Sequence, residues 1–230
     1  MTILSGRKPN QTLRIITLLF FVINFGVSGQ STKKITIEDN SSHYSKEIYY
    51  VLRSNNKIKH GEYRSYGWTR KLSEKGAYSN GEKSGIWEFY QATGELEQRY
   101  DYNERKLLYS KNSDPPFTTW TYVDGEYNQK QPETLPLFIG GMRRLFKNLD
   151  SFVYPSEAKL MNVDCRVVVS AIITESGKMT DEQISTGSGH GCDEEILKAI
   201  KLIPDEWIPA TLKGQNVKTK IFMPITFKRD

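Results

Sequence analysis

Ser188, His190 and Asp193 place a hydroxyl, an imidazole and a carboxylate close together, the three groups from which an activated nucleophile is assembled. Their setting argues for a simpler role. They lie in and just after "GSGHGC", a glycine-rich stretch ahead of a helical pattern, and a turn leading into a capped helix uses the same residue types. Gly187, Gly189 and Gly191 alternate with no following Lys-Ser/Thr, so the stretch is not a phosphate loop. Cys165 and Cys192, with the scattered histidines His43, His60 and His190, lack the spacing of a metal site. The expectation is a non-enzymatic protein with no cofactor, no metal and no small-molecule substrate. The two cysteines have two readings. In an oxidising compartment they form one disulfide, meeting where the main helix of the second half lies over its sheet; otherwise they are separate buried thiols.

The elements that would carry a binding function are organised in two halves behind a leader. The chain has 230 residues with 32 Lys+Arg against 27 Asp+Glu. Arg7, Lys8 and Arg14 fall in the first 29 residues, which hold no acid, so the remainder carries 29 basic and 27 acidic residues. That near-neutral balance removes the motive for a nucleic-acid partner. The basic residues precede a short apolar run, 15–27, and Val27-Ser28-Gly29, the form of a secretory signal cleaved after Gly29. The run is short of the roughly 20 apolar residues a membrane span needs; retention of the segment would make it an inner-membrane anchor instead. Residues 1–29 are thus expected as a signal peptide and the protein as periplasmic. Asn40-Ser41-Ser42 is a glycosylation triplet only in a eukaryotic secretory pathway.

Residues 59–108 repeat with a period of 24: Gly61, Tyr63 and Tyr66 recur as Gly85, Trp87 and Tyr90, and Leu72 and Tyr78 recur as Leu96 and Tyr102. Alternation of Ile86, Glu88 and Tyr90 with Trp87 and Phe89 predicts strand. Asn80-Gly81 predicts a tight hairpin, with Thr93-Gly94 and Asp124-Gly125 as weaker turn marks. An antiparallel hairpin meander with stacked aromatics is expected over 30–130. The stretches "HGEYRSY", "KGAYSNGEKSGIWEFY" and "TGELEQRYDY" resemble MORN-type repeats of bacterial envelope proteins; "YGWTRKL" departs from the pattern by a displaced turn glycine. The aromatics form either a core of small units or a partner-binding face.

Over 131–230 the pattern changes. Met142, Leu145, Phe146 and Leu149 share one helical face after Gly140-Gly141, and a second short helix follows Tyr154-Pro155 with Ala158 and Met161 inward. "CRVVVSAIIT", the turn "ESGK" and "MTDEQIST" predict two paired strands. A helix capped at or near Asp193 buries Ile196, Leu197, Ile200 and Ile203 and stops at Pro204. The chain closes on "VKTKIFMPITF", whose strict alternation predicts a half-buried strand. The whole is α+β: a repeat meander followed by an α-β-β-α-β unit with an antiparallel sheet.

That order, with Tyr154-Pro155, Ala158, the "VVV" run, Gly177, "CDEEILKAIK", Trp207, Pro209, Gly214 and "PITF", resembles the TonB C-terminal domain. Cys165 departs from the family, which usually has Gly there. An energy-coupling TonB protein also has a retained anchor and a Pro-rich linker, and this sequence shows neither pattern. The resemblance implies a part in TonB-dependent transmembrane transport: gripping an extended peptide of an outer-membrane receptor or another envelope protein, with an inner-membrane energising complex behind it. The alternative is an envelope scaffold or adaptor without energy coupling. Pro224 supports an edge position, because proline cannot donate to a ladder, and an exposed edge recruits peptides by strand addition. The same Pro and Lys residues equally suit an edge protected from pairing. Lys218, Lys220, Phe222, Pro224 and Thr226 on that strand, with Tyr154, are the candidate partner-binding residues.

Overall fold

The computed structural model describes residues 30–40, 44–111, 115, 117–123, 125–129, 132–147, 149 and 152–228. The expected export signal, His43, the two serines of the glycosylation triplet and Asp124 of the Asp124-Gly125 turn lie outside the described residues. Among the described residues no helix is long and apolar enough to cross a membrane.

Seven strands, β1 (Thr32–Asp39), β2 (Ser45–Leu52), β3 (Asn55–Tyr66), β4 (Leu72–Ser79), β5 (Glu82–Tyr90), β6 (Leu96–Asp101) and β7 (Lys106–Ser110), form one sheet in chain order. Every pair is antiparallel. The β4–β5 turn turns on Asn80 and Gly81, with φ of 51° and 93°, the left-handed pair that a two-residue hairpin of matching twist requires. Alternation sends Trp87 and Phe89 inward, at 0% and 2% exposure, and leaves Ile86 in solvent. One face is a continuous aromatic layer in which Tyr63, Tyr78, Trp87 and Tyr102 meet at centroid distances of 5.1–5.9 Å. Gly76 lies directly beneath the Trp87 indole, where a Cβ would overlap three ring atoms.

The chain continues through β8 (Thr118–Val123), β9 (Glu126–Asn128), β10 (Leu137–Phe138), α1 (Gly141–Lys147), α2 (Ser156–Met161), β11 (Cys165–Ile173), β12 (Met179–Thr186), α3 (Cys192–Ile200), β13 (Trp207–Ile208), β14 (Ala210–Leu212), β15 (Gln215–Val217) and β16 (Thr219–Phe227). A five-stranded sheet runs β12-β11-β16-β8-β9, with β10-β13 and β14-β15 as two small ribbons. All of its pairings are antiparallel and helices are few, so the fold is α+β. Its β-branched inner face, Val167, Val169, Ile173, Ile221 and Ile225, packs with Ile196 and Ile200 of α3 and with Phe117, Phe138, Leu145 and Leu149. The expected change of unit at residue 131 falls after β8 and β9, which already belong to this sheet.

Four local expectations differ from the structure. Phe146 is 42% exposed and Met161 60% exposed. The helices that carry them are only seven and six residues long, too short for a full apolar stripe, and each buries one residue, Leu145 and Ala158. The residue before α3 is Gly191, in the left-handed region, and Asp193 does not cap the helix. Its carboxylate turns back to accept the Ser188 and Gly189 amides. Lys218 interrupts the final run, which is two strands rather than one.

A partly buried charge cluster ties the repeat sheet to α1 and to the segment before β13. Lys83 Nζ donates to Glu206 Oε1 (2.9 Å) and to the Tyr102 hydroxyl (3.2 Å). The Arg144 guanidinium pairs with Glu206 and lies 3.6 Å from Glu74, above the Phe89 and Phe138 rings. Burial alone would raise the Glu206 pKa, but Arg144 and Lys83 outweigh it and hold the carboxyl below its ordinary value. Gln98, more deeply buried, donates to the Phe138 carbonyl and accepts from the Gly140 amide. A Cβ on Gly141 would run into Glu97, so the Gly-Gly pair lets the chain come down onto the repeat sheet.

Candidate partner-docking edge

Strand β16 pairs along its whole length with β11, from Thr219↔Ile173 to Phe227↔Cys165. Thr219, Ile221, Met223 and Ile225 point into the core, and Lys220, Phe222, Pro224 and Thr226 point the other way. Backbone groups alternate with the same period. Pro224 has no N–H to give β11, so its backbone polar side must face away from β11, and the Phe222 and Thr226 amides face the same way.

On that far side the structure is more crowded than a free edge. Strand β8 covers β16 from Thr219↔Thr121 to Phe222↔Thr118, and the Tyr122 amide donates to the Lys218 carbonyl (2.9 Å). Expectation and structure therefore part over the first half of the strand. Lys218, Lys220 and Phe222 lie beside β8, with Lys218 Nζ 5.2 Å from the Tyr122 ring centre and Phe222 5.1 Å from Trp120. The physical reason is "TTWTYV", a β-branched and aromatic run that fits a pleated sheet and had been assigned to the repeat half. The ladder stops where the sequence reads Pro115-Pro116, two residues without an N–H. Over 223–227 no described residue pairs with the outer side of β16. Pro224 and Thr226 are exposed there.

Tyr154 has a different place from the one its motif suggested. Its hydroxyl donates to the Val163 carbonyl (2.6 Å), which pins the chain between α2 and β11. Its ring meets Phe152 at 5.8 Å, and Phe152 stacks on Phe227 at 3.9 Å and 11°. Tyr154 thus supports the end of the edge from beneath.

Cys165 and Cys192 are joined in a disulfide with their Cα atoms 5.5 Å apart, linking the first residue of β11 to the first of α3. Both are fully buried. A crosslink spanning 27 residues restricts the unfolded chain by about 3 kcal/mol. Reduction, or Cys192→Ala, should lower unfolding stability by about that amount in urea melts; an unchanged midpoint under thiol would sink the expectation. The neighbouring cluster has no catalytic geometry: Ser188 Oγ donates to the Asp164 carbonyl, His190 pairs with Glu157, and Asp193 holds the loop amides. Among the described residues no three His, Cys, Asp or Glu side chains gather as a metal site.

The described residues 117–228 thus form a helix-backed antiparallel sheet with one partly bare edge. Residues 150–229 match the family model of the Gram-negative bacterial TonB protein C-terminal domain. That family implies a TonB-related protein-interaction role in the periplasm or envelope, with envelope proteins such as outer-membrane receptors as partners. Neither the comparison with curated proteins nor that with solved structures found a match.

Proposed function

We propose that the C-terminal unit takes an extended segment of an outer-membrane receptor, or of another envelope protein, onto the bare half of β16 by strand addition. The observation that supports this is that, among the described residues, nothing pairs with the outer side of β16 over 223–227, in a region that matches the family model. By backbone parity the outward groups there are the Pro224 carbonyl and the Thr226 amide and carbonyl. The protein acts in the periplasm after export, with Gln30 as its mature first residue, and the repeat meander serves as its second, MORN-like half.

Thr226→Pro removes the one N–H that points outward from this stretch. It should weaken binding of a synthetic peptide copying a receptor's extended box by about 1 kcal/mol, roughly fivefold in Kd, while circular dichroism stays unchanged. Thr219→Pro, of opposite parity and wholly buried, should unfold the sheet instead. Equal affinity in a folded Thr226→Pro protein would remove the site from β16.

A second reading has its own observation. Because β8 already occupies half of the edge, few main-chain groups are left to carry a pulling load. This favours an adaptor that docks partners without energy coupling. Mass spectrometry of the purified protein's N-terminus separates the two: a chain starting at Gln30 fits the adaptor, and one keeping residues 1–29 in washed membranes fits an energised transducer.

A further inference from the structure

The repeat places the same cation-and-ring unit on the sheet twice. Lys59 and Lys83 stand 24 residues apart, as do Tyr63 and Trp87, and Tyr78 and Tyr102. Lys59 Nζ lies 4.9 Å from the Tyr63 ring centre and 5.2 Å from that of Tyr78. Lys83 Nζ lies 4.9 Å from Trp87 and 5.2 Å from Tyr102. In each unit the two rings meet edge to face, at 78° and 70°.

The units differ in what completes them. At Lys83 a carboxylate from the segment before β13, Glu206, takes the ammonium at 2.9 Å. At Lys59 a third ring, Tyr49, closes in at 4.6 Å, and no carboxylate of the described residues comes within ion-pair distance. Glu74 touches the unit at another atom, accepting from the Tyr63 hydroxyl at 3.5 Å. Lys59, Tyr49 and Tyr78 remain half-buried, and only Tyr78 of them reaches the cleft of about 570 Å³ that Lys83 and Glu206 line. An ammonium held over rings keeps its charge and its N–H donors, and a carboxylate supplies a charge-assisted acceptor.

We propose that Lys59, with Tyr49, Tyr63 and Tyr78, is a docking site for a carboxylate on an acidic peptide segment of a partner, the open counterpart of the position Glu206 fills at Lys83. The peptide class follows from that internal occupant: a carboxylate, Glu206, on a segment leading into a short extended stretch.

The probe is a blocked synthetic peptide of sequence IPDEWIP, copying residues 203–209, titrated into the full chain and followed by NMR at the tyrosine rings and lysine side chains. Expected are shifts at Lys59, Tyr49, Tyr63 and Tyr78, at least a fivefold loss of affinity in Lys59→Gln, and a similar loss when the peptide's Glu becomes Gln. Lys57→Gln, an exposed neighbour, should bind as the parent does. Equal binding by Lys59→Gln or by the Gln peptide would overturn the proposal. So would shifts confined to Lys83, Trp87 and Tyr102, shifts along β16, or no shifts at millimolar peptide.

Discussion

Trp87→Ala should destabilise the protein by about 3–5 kcal/mol, the range for truncating a fully buried tryptophan. The side chain has 0% exposure, and it is the hub of the aromatic layer. Tyr63 and Phe89 stack along it, Tyr78 and Tyr102 strike it edge-on, and its Nε1–H donates to the Ala77 carbonyl (3.1 Å). Alanine would leave four rings facing a void and remove one of the donors to the Ala77 carbonyl. Gly76→Ala probes the same packing from the opposite direction, pushing a methyl into the indole, at about 1–3 kcal/mol. Trp68→Ala is the control: at 63% exposure it should change stability by about 0.5 kcal/mol or less. Urea unfolding followed by circular dichroism measures all three. A loss below about 1 kcal/mol in Trp87→Ala would mean that the layer is not a packed core.

Arg144→Met should cost about 3–5 kcal/mol, because it strands Glu206 and Glu74 in a largely desolvated position beside Lys83. The pH dependence has a defined sign. Glu206 is held below its ordinary pKa in the folded protein, since Arg144 and Lys83 outweigh burial. Its contribution is therefore complete above the ordinary carboxylate range and is lost as pH falls through the depressed folded value. In Arg144→Met that acid loss should begin at higher pH. Double replacement of Arg144 and Glu206 by apolar residues should not restore stability, since it takes the carboxylate from Lys83 and the guanidinium from Glu74. Thermal melts across the acid range test this, and a pH profile unmoved by Arg144→Met would show that Glu206 is held by something else.

What could be read from the chain beforehand was local. Alternation of Trp87 and Phe89 with Ile86 and Glu88, the Asn80-Gly81 hairpin and the inward parity of Ile221, Met223 and Ile225 each rest on neighbours within a few residues. The pairing of β8 with β16 joins Thr121 to Thr219, and no local pattern encodes a register over such a distance. For that reason the closing strand looked like a full edge. Arg144 was invisible for another reason: a charged residue on a short amphipathic helix reads as solvent-facing, and only the second sheet makes it a buried partner of Glu206. The offset between Lys59 and Lys83 is present in the sequence, but lysine carries no strand signal and does not mark a repeat as recurring aromatics and glycines do. Ser188, His190 and Asp193 show the reverse case, residue types that suggest chemistry while each side chain serves a different backbone or surface contact.

Strand β8 has a consequence for where this domain begins. Residues 150–229 carry the family likeness, yet Phe117, Phe138, Leu145 and Leu149 sit in the same core, and β8 covers the half of β16 that would otherwise lie open. A fragment cut at the boundary of the likeness would lose that covering strand and a side of its core together. It would present Thr219, Lys220, Ile221 and Phe222 as a bare template, which a second fragment satisfies by lending its own strand. The packed unit is accordingly longer at its N-terminal side than the stretch that is recognisable, and association of the shorter piece would report the cut.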